Sequence, residues 1–319
     1  MVIILLIVGF ILLIKGANLL VDGSTNLAKH FGISDIVIGL TVVAFGTSMP
    51  ELIVNIISSV NGANGISIGN IVGSNIANIL LILGVAAIIK TITVYKNTVW
   101  NEIPFSLFSA FILLFLANGH FFNEAQQGII TRSDGLILLS FFAVFLYYTF
   151  SLTKKPIGKI VAFSKKNSLA KSILIIILGT LALFLGGKWV VESAIALTKL
   201  FKVSETIVGI TIVALGTSLP ELVTSIVASI KKNSDIVVGN VVGSNIFNIL
   251  WVLGLSSIIS PITVEKSSNA DFYMLIIASL LLFGFLFIGN PDKSTKTVNR
   301  WQGFVFVALY LGYILFRVI

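Results

Sequence analysis

Glu51 and Glu221 each stand one residue after a proline, inside a long apolar segment. Glu51 closes the phrase Gly39-Leu-Thr-Val-Val-Ala-Phe-Gly-Thr-Ser-Met-Pro-Glu51, and Glu221 closes Gly209-Ile-Thr-Ile-Val-Ala-Leu-Gly-Thr-Ser-Leu-Pro-Glu221. Pro50 has no N–H, so the carbonyl of Gly46 loses its helical partner and the ring pushes it aside. At membrane depth a freed carbonyl is tolerated only where protein or a water-filled cavity satisfies it. Such a break beside a carboxylate collects several hard oxygens at one point. Thr47 and Ser48 precede Glu51 by four and three residues, which puts them on its helix face. A second phrase follows each first one: Gly69-Asn-Ile-Val-Gly-Ser-Asn-Ile-Ala-Asn-Ile-Leu80, then Gly239-Asn-Val-Val-Gly-Ser-Asn-Ile-Phe-Asn-Ile-Leu250. Here Asn70, Ser74 and Asn78 fall at i, i+4 and i+8, along one helix stripe. The other copy supplies Thr217, Ser218, Glu221, Asn240, Ser244 and Asn248. Gly69 with Gly73, and Gly239 with Gly243, form Gly-xxx-Gly patterns that allow close helix approach.

Brought together, the two copies make a cage of carboxylates, hydroxyls, amides and bent-helix carbonyls. Every ligand is oxygen, which suits Ca2+, Na+ or Mg2+ and disfavours Zn2+ or Cu+. The chain has no cysteine, and its two histidines, His30 and His120, lie outside the motifs, so thiolate and histidine-cluster chemistry are excluded. The carboxylates have no nucleophilic or metal-hydrolytic partner, so the reading is not an enzyme and needs no prosthetic group. Two carboxylates balance one Ca2+ or two Na+. Leaving them ionised and empty in a membrane costs at least several kcal/mol, so a cation or proton must occupy the site. A site that must always hold a cation exchanges cations. Taken singly, a membrane proline is a kink, Gly-xxx-Gly is packing, and a serine or asparagine is a helix–helix hydrogen bond. Recurrence of the whole set at one offset, 170 residues, selects the ion site.

The elements that must hold such a cage follow from composition. With 56% apolar and 11% charged residues, against about 25% charged in soluble domains, the chain is a polytopic membrane protein whose partner is the bilayer. Its apolar runs are continuous and not alternating, which favours helices over a β-barrel. The net charge of +8 sets topology and does not imply nucleic acid. The opening residues lack a basic n-region and read as the start of the first helix. Ten spans are expected, near 2–27, 36–60, 67–89, 101–118, 134–153, 172–197, 206–230, 237–259, 271–289 and 301–317. The fold class is therefore all-α, with ten transmembrane helices as two five-helix repeats and broken helices at the midplane. The expected divisions are 1–153, a basic cytoplasmic linker at 154–171, and 172–319. Five spans per copy invert the second copy relative to the first. With both termini outside, the inner loops hold Lys29, Lys90, Lys96, the lysines from Lys154 to Lys171, Lys231, Lys232, Lys293, Lys296 and Arg300. The outer loops then hold only Arg132, Lys199, Lys202 and Lys266, the asymmetry expected of that orientation. Asp22 and Glu192 are equivalent under the offset, near helix ends, and are candidates for gating.

Gly-Thr-Ser-x-Pro-Glu with Gly-Ser-Asn-Ile-x-Asn, twice, resembles the sodium/calcium exchangers of the calcium:cation antiporter superfamily, in their compact prokaryotic form. The resemblance implies Na+ entering as Ca2+ leaves, by alternating access, in a prokaryotic cell (inner) membrane. It implies that Glu51 and Glu221 are shared ligands of both ions. It adds the carbonyls of Thr47 and Thr217 for Ca2+, those of Ala44 and Ala214 for Na+, and Ser48, Ser218, Ser74 and Ser244 to complete the Na+ sites. Asn78 and Asn248 close the cage. The long first and sixth spans look like sliding gate helices. Several family members carry aspartate where this chain has Asn248, so this cage has two acids, and a third Na+ would leave it at net +1. The rivals are a Ca2+/H+ exchanger of the same fold, for which protons need only the carboxylates, and a passive cation channel, which would show no coupled counterflux.

Overall fold

The computed structural model describes residues 2–118, 128–153, 168–200, 214–288 and 295–318. The basic linker and the opening of the second Gly-Thr-Ser phrase fall outside these residues, at 154–167 and 201–213. The chain begins with α1 (Val2–Phe31). A broken span follows as α2 (Asp35–Thr47) and α3 (Met49–Val60). Then come α4 (Asn64–Ile89), β1 (Ile92–Tyr95), α5 (Glu102–Ala117), β2 (Gly128–Ile130) and α6 (Arg132–Leu152). The second half continues with α7 (Leu169–Leu200), α8 (Ala214–Thr217), α9 (Leu219–Ile230), α10 (Ser234–Ile259), β3 (Ile262–Val264), α11 (Asn269–Phe285), β4 (Thr295–Val298) and α12 (Arg300–Val318). Among the described residues, seven helices are long and apolar enough to cross a membrane, or eight if the α2–α3 pair is one span.

Burial separates centre from periphery. In α4 and α10, 78% and 94% of the apolar window is buried, against 22% in α1 and in α7. Isoleucines and leucines such as Ile4, Ile11, Leu174 and Leu181 lie exposed along the outer helices, as lipid-facing side chains do.

The breaks fall where the prolines require them. Ser48 leaves the helical region (φ −82°, ψ 5°), Pro50 sits in the first turn of α3, and α2 meets α3 at 46°. Ser218 repeats the geometry between α8 and α9 (φ −84°, ψ 3°). The two copies share a further turn. Gly62 and its equivalent Lys232 both take left-handed backbone, at φ 71° and 62°. Glycine does so without cost, whereas lysine carries a Cβ penalty. Short π-helical stretches at Gly39–Val43, Asn78–Ile82 and Phe247–Leu253 interrupt the regular ladder. Those at Asn78 and Phe247 lie in the second phrase of each copy.

Glycines set the closest contacts. On α1 they recur every seven residues. A Cβ on Gly16 would lie 2.8 Å from the Gly179 carbonyl oxygen, one on Gly186 2.8 Å from that of Gly9, and one on Gly23 would strike Ile175 and Ile176. α1 and α7 therefore meet backbone to backbone. Gly239 meets Gly39 in the same way, at 2.7 Å to its Cα, and Gly243 meets Ala44 and Leu40. The expected close packing of Gly69 and Gly73 has no partner among the described residues. The equivalent of Gly39, which is Gly209, lies outside them.

An all-helical chain was expected, and four short strands depart from it. β1 pairs antiparallel with β4 (Ile92 opposite Val298), and β2 with β3 (Gly128 opposite Val264). Segments such as Ile92-Thr-Val-Tyr95 and Thr295-Lys-Thr-Val298 are rich in β-branched residues, which favour extended backbone. Pairing satisfies their N–H and C=O groups between the helices.

Candidate cation site

The breaks in the two copies face one another across α4 and α10. Glu51 and Glu221 begin α3 and α9, and both are 0% exposed. Each takes hydroxyls from both copies. Ser74 Oγ donates to Glu51 Oε1 at 3.2 Å, and Ser218 Oγ reaches the same oxygen at 3.5 Å. Ser48 Oγ and Ser244 Oγ donate to Glu221 Oε1 at 3.4 and 3.5 Å. Ser74 and Ser218 bond each other at 2.8 Å. Thr47 Oγ1 donates to Asn240 Oδ1 at 3.0 Å, and Thr217 Oγ1 to Asn70 Oδ1 at 3.2 Å. Asn70 and Asn240 in turn donate to the backbone carbonyls of Glu51 and Glu221, each at 3.2 Å. Apart from the Ser74–Ser218 bond, whose place in the other copy is taken by a Thr47–Ser244 contact at 3.3 Å, these contacts are reciprocal: what one copy gives, its equivalent returns.

The structure thus brings the buried Thr47, Ser48, Glu51, Ser74, Asn78, Ser218, Glu221, Ser244 and Asn248 together with the half-buried Thr217 into one region. The Ala44 carbonyl accepts from the Ser48 N–H at 2.9 Å and from Thr47 Oγ1 at 3.4 Å. Ala214 opens α8, and its side chain lies outside the described residues.

Sequence reading passed over Asn75 and Asn245, which stand inside the repeated phrase. Each donates its amide to the other's backbone carbonyl, at 3.1 and 3.4 Å. Each Oδ1 accepts from the outer asparagine of the other copy, Asn248 at 3.0 Å and Asn78 at 2.9 Å. Their recurrence at the fixed offset was the available signal. Asn55 was also missed. It accepts from Asn70 and donates to Ser256, whereas its equivalent Ser225 accepts from Asn240.

Four buried oxygens at this site have no hydrogen-bond partner among the described residues: Glu51 Oε2, Glu221 Oε2, Asn78 Oδ1 and Asn248 Oδ1. Among the described residues no lysine, arginine or histidine pairs with either glutamate, and no cluster of three or more histidines, cysteines or acids occurs. Orphaned buried acceptors are costly, and two buried carboxylates without a counter-charge more so. All four are oxygens that a hard cation would take.

A family model described as sodium/calcium exchanger protein matches residues 1–151 and 171–319. An uncharacterized membrane protein of Methanocaldococcus jannaschii is 37% identical, over 96% of this chain and 94% of its own. The sodium/calcium exchanger MaX1 of Methanosarcina acetivorans is 33% identical over 97% and 96%. Among solved structures, the sodium-calcium exchanger NCX_Mj soaked with 10 mM Na+ and no Ca2+ superimposes with a TM-score of 0.83, at 36% identity, covering 99% of both chains.

Proposed function

The chain belongs to the sodium/calcium exchanger family, and from that membership we propose that it exchanges Na+ for Ca2+ at the Glu51–Glu221 cage by alternating access. The four unpartnered oxygens carry this reading. Together with two carboxylates that lack a cationic side chain, they match the charge and hardness of one Ca2+ or two Na+. Ca2+ would draw on Glu51, Glu221 and the carbonyls of Thr47 and Thr217. Na+ would draw on the same carboxylates with Ser48, Ser74, Ser218, Ser244 and the Ala44 and Ala214 carbonyls. Asn78 and Asn248 contribute neutral oxygens. Hydroxyls and amides around the acids support Na+ as the coupling ion, since protons would need only the carboxylates.

The reciprocal contacts between copies support a ten-span inverted repeat, divided at the 154–171 linker. On the alternation expected from the loops, β1 and β4 share one side and β2 and β3 the other. Their pairing supports that arrangement, and the lysine distribution supports both termini lying outside. α1 and α7, peripheral and packed on each other, are the moving pair.

The test is radiolabelled Ca2+ uptake into proteoliposomes loaded with Na+, against choline loading and against a pH gradient without Na+. Uptake is expected to need internal Na+ and to vanish in Glu51→Gln and Glu221→Gln. Uptake driven by the pH gradient alone would transfer the chain to the proton-coupled branch, and uptake without either gradient would make it a channel.

A further inference from the structure

We propose that Asn75 and Asn245 are positioning residues: they lock the side-chain amides of Asn248 and Asn78 with both carbonyl oxygens turned into the cation cage. The inference rests on the cage being a cation site, and it deepens that reading.

An amide's oxygen and nitrogen have nearly the same shape, so its orientation must come from its neighbours. Here the chain of bonds starts at the backbone, where no ambiguity exists. The Asn245 carbonyl can only accept, so the atom of Asn75 that meets it at 3.1 Å is the nitrogen. That turns Asn75 Oδ1 toward Asn248. The atom of Asn248 facing it at 3.0 Å must then donate, so it is Nδ2. Asn248 Oδ1 is left pointing away, buried and unpartnered. The mirror chain runs from the Asn75 carbonyl through Asn245 to Asn78, with bonds of 3.4 and 2.9 Å, and ends on an unpartnered Asn78 Oδ1. A bond from Asn248 Nδ2 to Ser74 Oγ at 3.3 Å fits the same orientation. All four asparagines are at most 2% exposed, so water cannot relieve a reversed amide. Flipping Asn248 would set two oxygens against each other at Asn75 and aim an NH2 group at the cation. Each copy thereby fixes the ligand of the other.

The test is equilibrium binding of radiolabelled Ca2+ to the purified full chain in detergent micelles, which does not need transport. Asn75→Ala is expected to weaken binding about tenfold or more, the usual scale for losing an orienting partner of a metal ligand. In an Asn248→Asp background both side-chain atoms are acceptors, so orientation no longer matters. Adding Asn75→Ala there is expected to change affinity less than about threefold, well below the loss in the amide background, since no amide orientation is left for Asn75 to fix. The pair Asn245→Ala and Asn78→Asp repeats the design should Asn75→Ala not fold. An equal loss in both backgrounds, or no loss in the amide background, would overturn the lock. A parent chain that binds Ca2+ without Na+-driven flux would overturn the exchange reading and leave the lock standing. A parent chain that binds no Ca2+ would overturn both.

Discussion

At the scale of single residues, a buried carboxylate is defined by what else surrounds it. The carboxylates of Glu51 and Glu221 receive serine hydroxyls but, among the described residues, no cationic side chain, so on the proposed reading each depends on an ion. Glu51→Gln is expected to abolish saturable Ca2+ binding, measured by equilibrium dialysis, because one remaining carboxylate cannot neutralise a divalent ion. On the proposed assignment the serines serve Na+ and not Ca2+. Ser74→Ala removes the 2.8 Å bond to Ser218 and the 3.2 Å bond to Glu51. It is expected to raise the Na+ concentration for half-maximal exchange several-fold while changing Ca2+ affinity less, which Na+ titration of Ca2+ uptake reads directly. A third residue tests the backbone alone. Lys232 holds φ 62° where its equivalent is Gly62, so Lys232→Gly is expected to stabilise the chain by about 1 kcal/mol, seen as a higher midpoint in thermal unfolding. Most of the cage was legible because whole phrases recur and their residue types share one chemistry. Asn75 and Asn245 were not, because their partners lie in the other copy and spacing within one helix does not encode a bond between helices.

Elements carry a different kind of information. The breaks at Ser48 and Ser218 were legible from Pro50 and Pro220, since a missing N–H acts locally. The π-helical stretches at Asn78 and Phe247 were not, because an extra residue in a helical turn leaves no mark in composition. Gly39 and Gly239 let α2 and α10 cross with their backbones in contact. Gly239→Ala places a Cβ 2.7 Å from the Gly39 Cα, and neither backbone has a flexible end that could yield. A loss of roughly 1–3 kcal/mol is expected, the usual cost of overpacking, with a lower unfolding midpoint in detergent. The strands were missed for a related reason. Three or four residues rich in β-branched side chains are too short a signal beside apolar runs several times longer, and only the encounter of two distant loops makes them pair.

For the whole molecule, the sequence made the membrane class and the duplication plain, because both are written in bulk composition and in one fixed offset. What it left unstated is how the copies differ. Lys231 Nζ bonds Asp22 Oδ1 at 2.7 Å and the Asn18 carbonyl at 3.4 Å, tying the second half of α1 to the turn after α9. The equivalents of Lys231, Asp22 and Asn18 are Asn61, Glu192 and Lys188. Glu192 pairs instead with Lys188 on its own helix, at 3.9 Å and well exposed. Among the described residues the tie therefore exists at one end of the molecule only. An exposed pair of this kind contributes at most about 1 kcal/mol, so Asp22→Asn is expected to shift the ratio of the two access states by no more than about fivefold. Single cysteines introduced at either mouth of this cysteine-free chain, with membrane-impermeant labels, measure that ratio. The glycine seam gives this small bias its leverage. On the proposed alternating-access cycle, with α1 and α7 touching backbone to backbone, the pair would move as one slider with a single coordinate. If the copies were identical, its two resting positions would be equal in energy by symmetry, a double well with level floors. Every tilt between those floors must then come from positions where the copies have drifted apart, so the exchanger's preferred resting side is set by its broken symmetry.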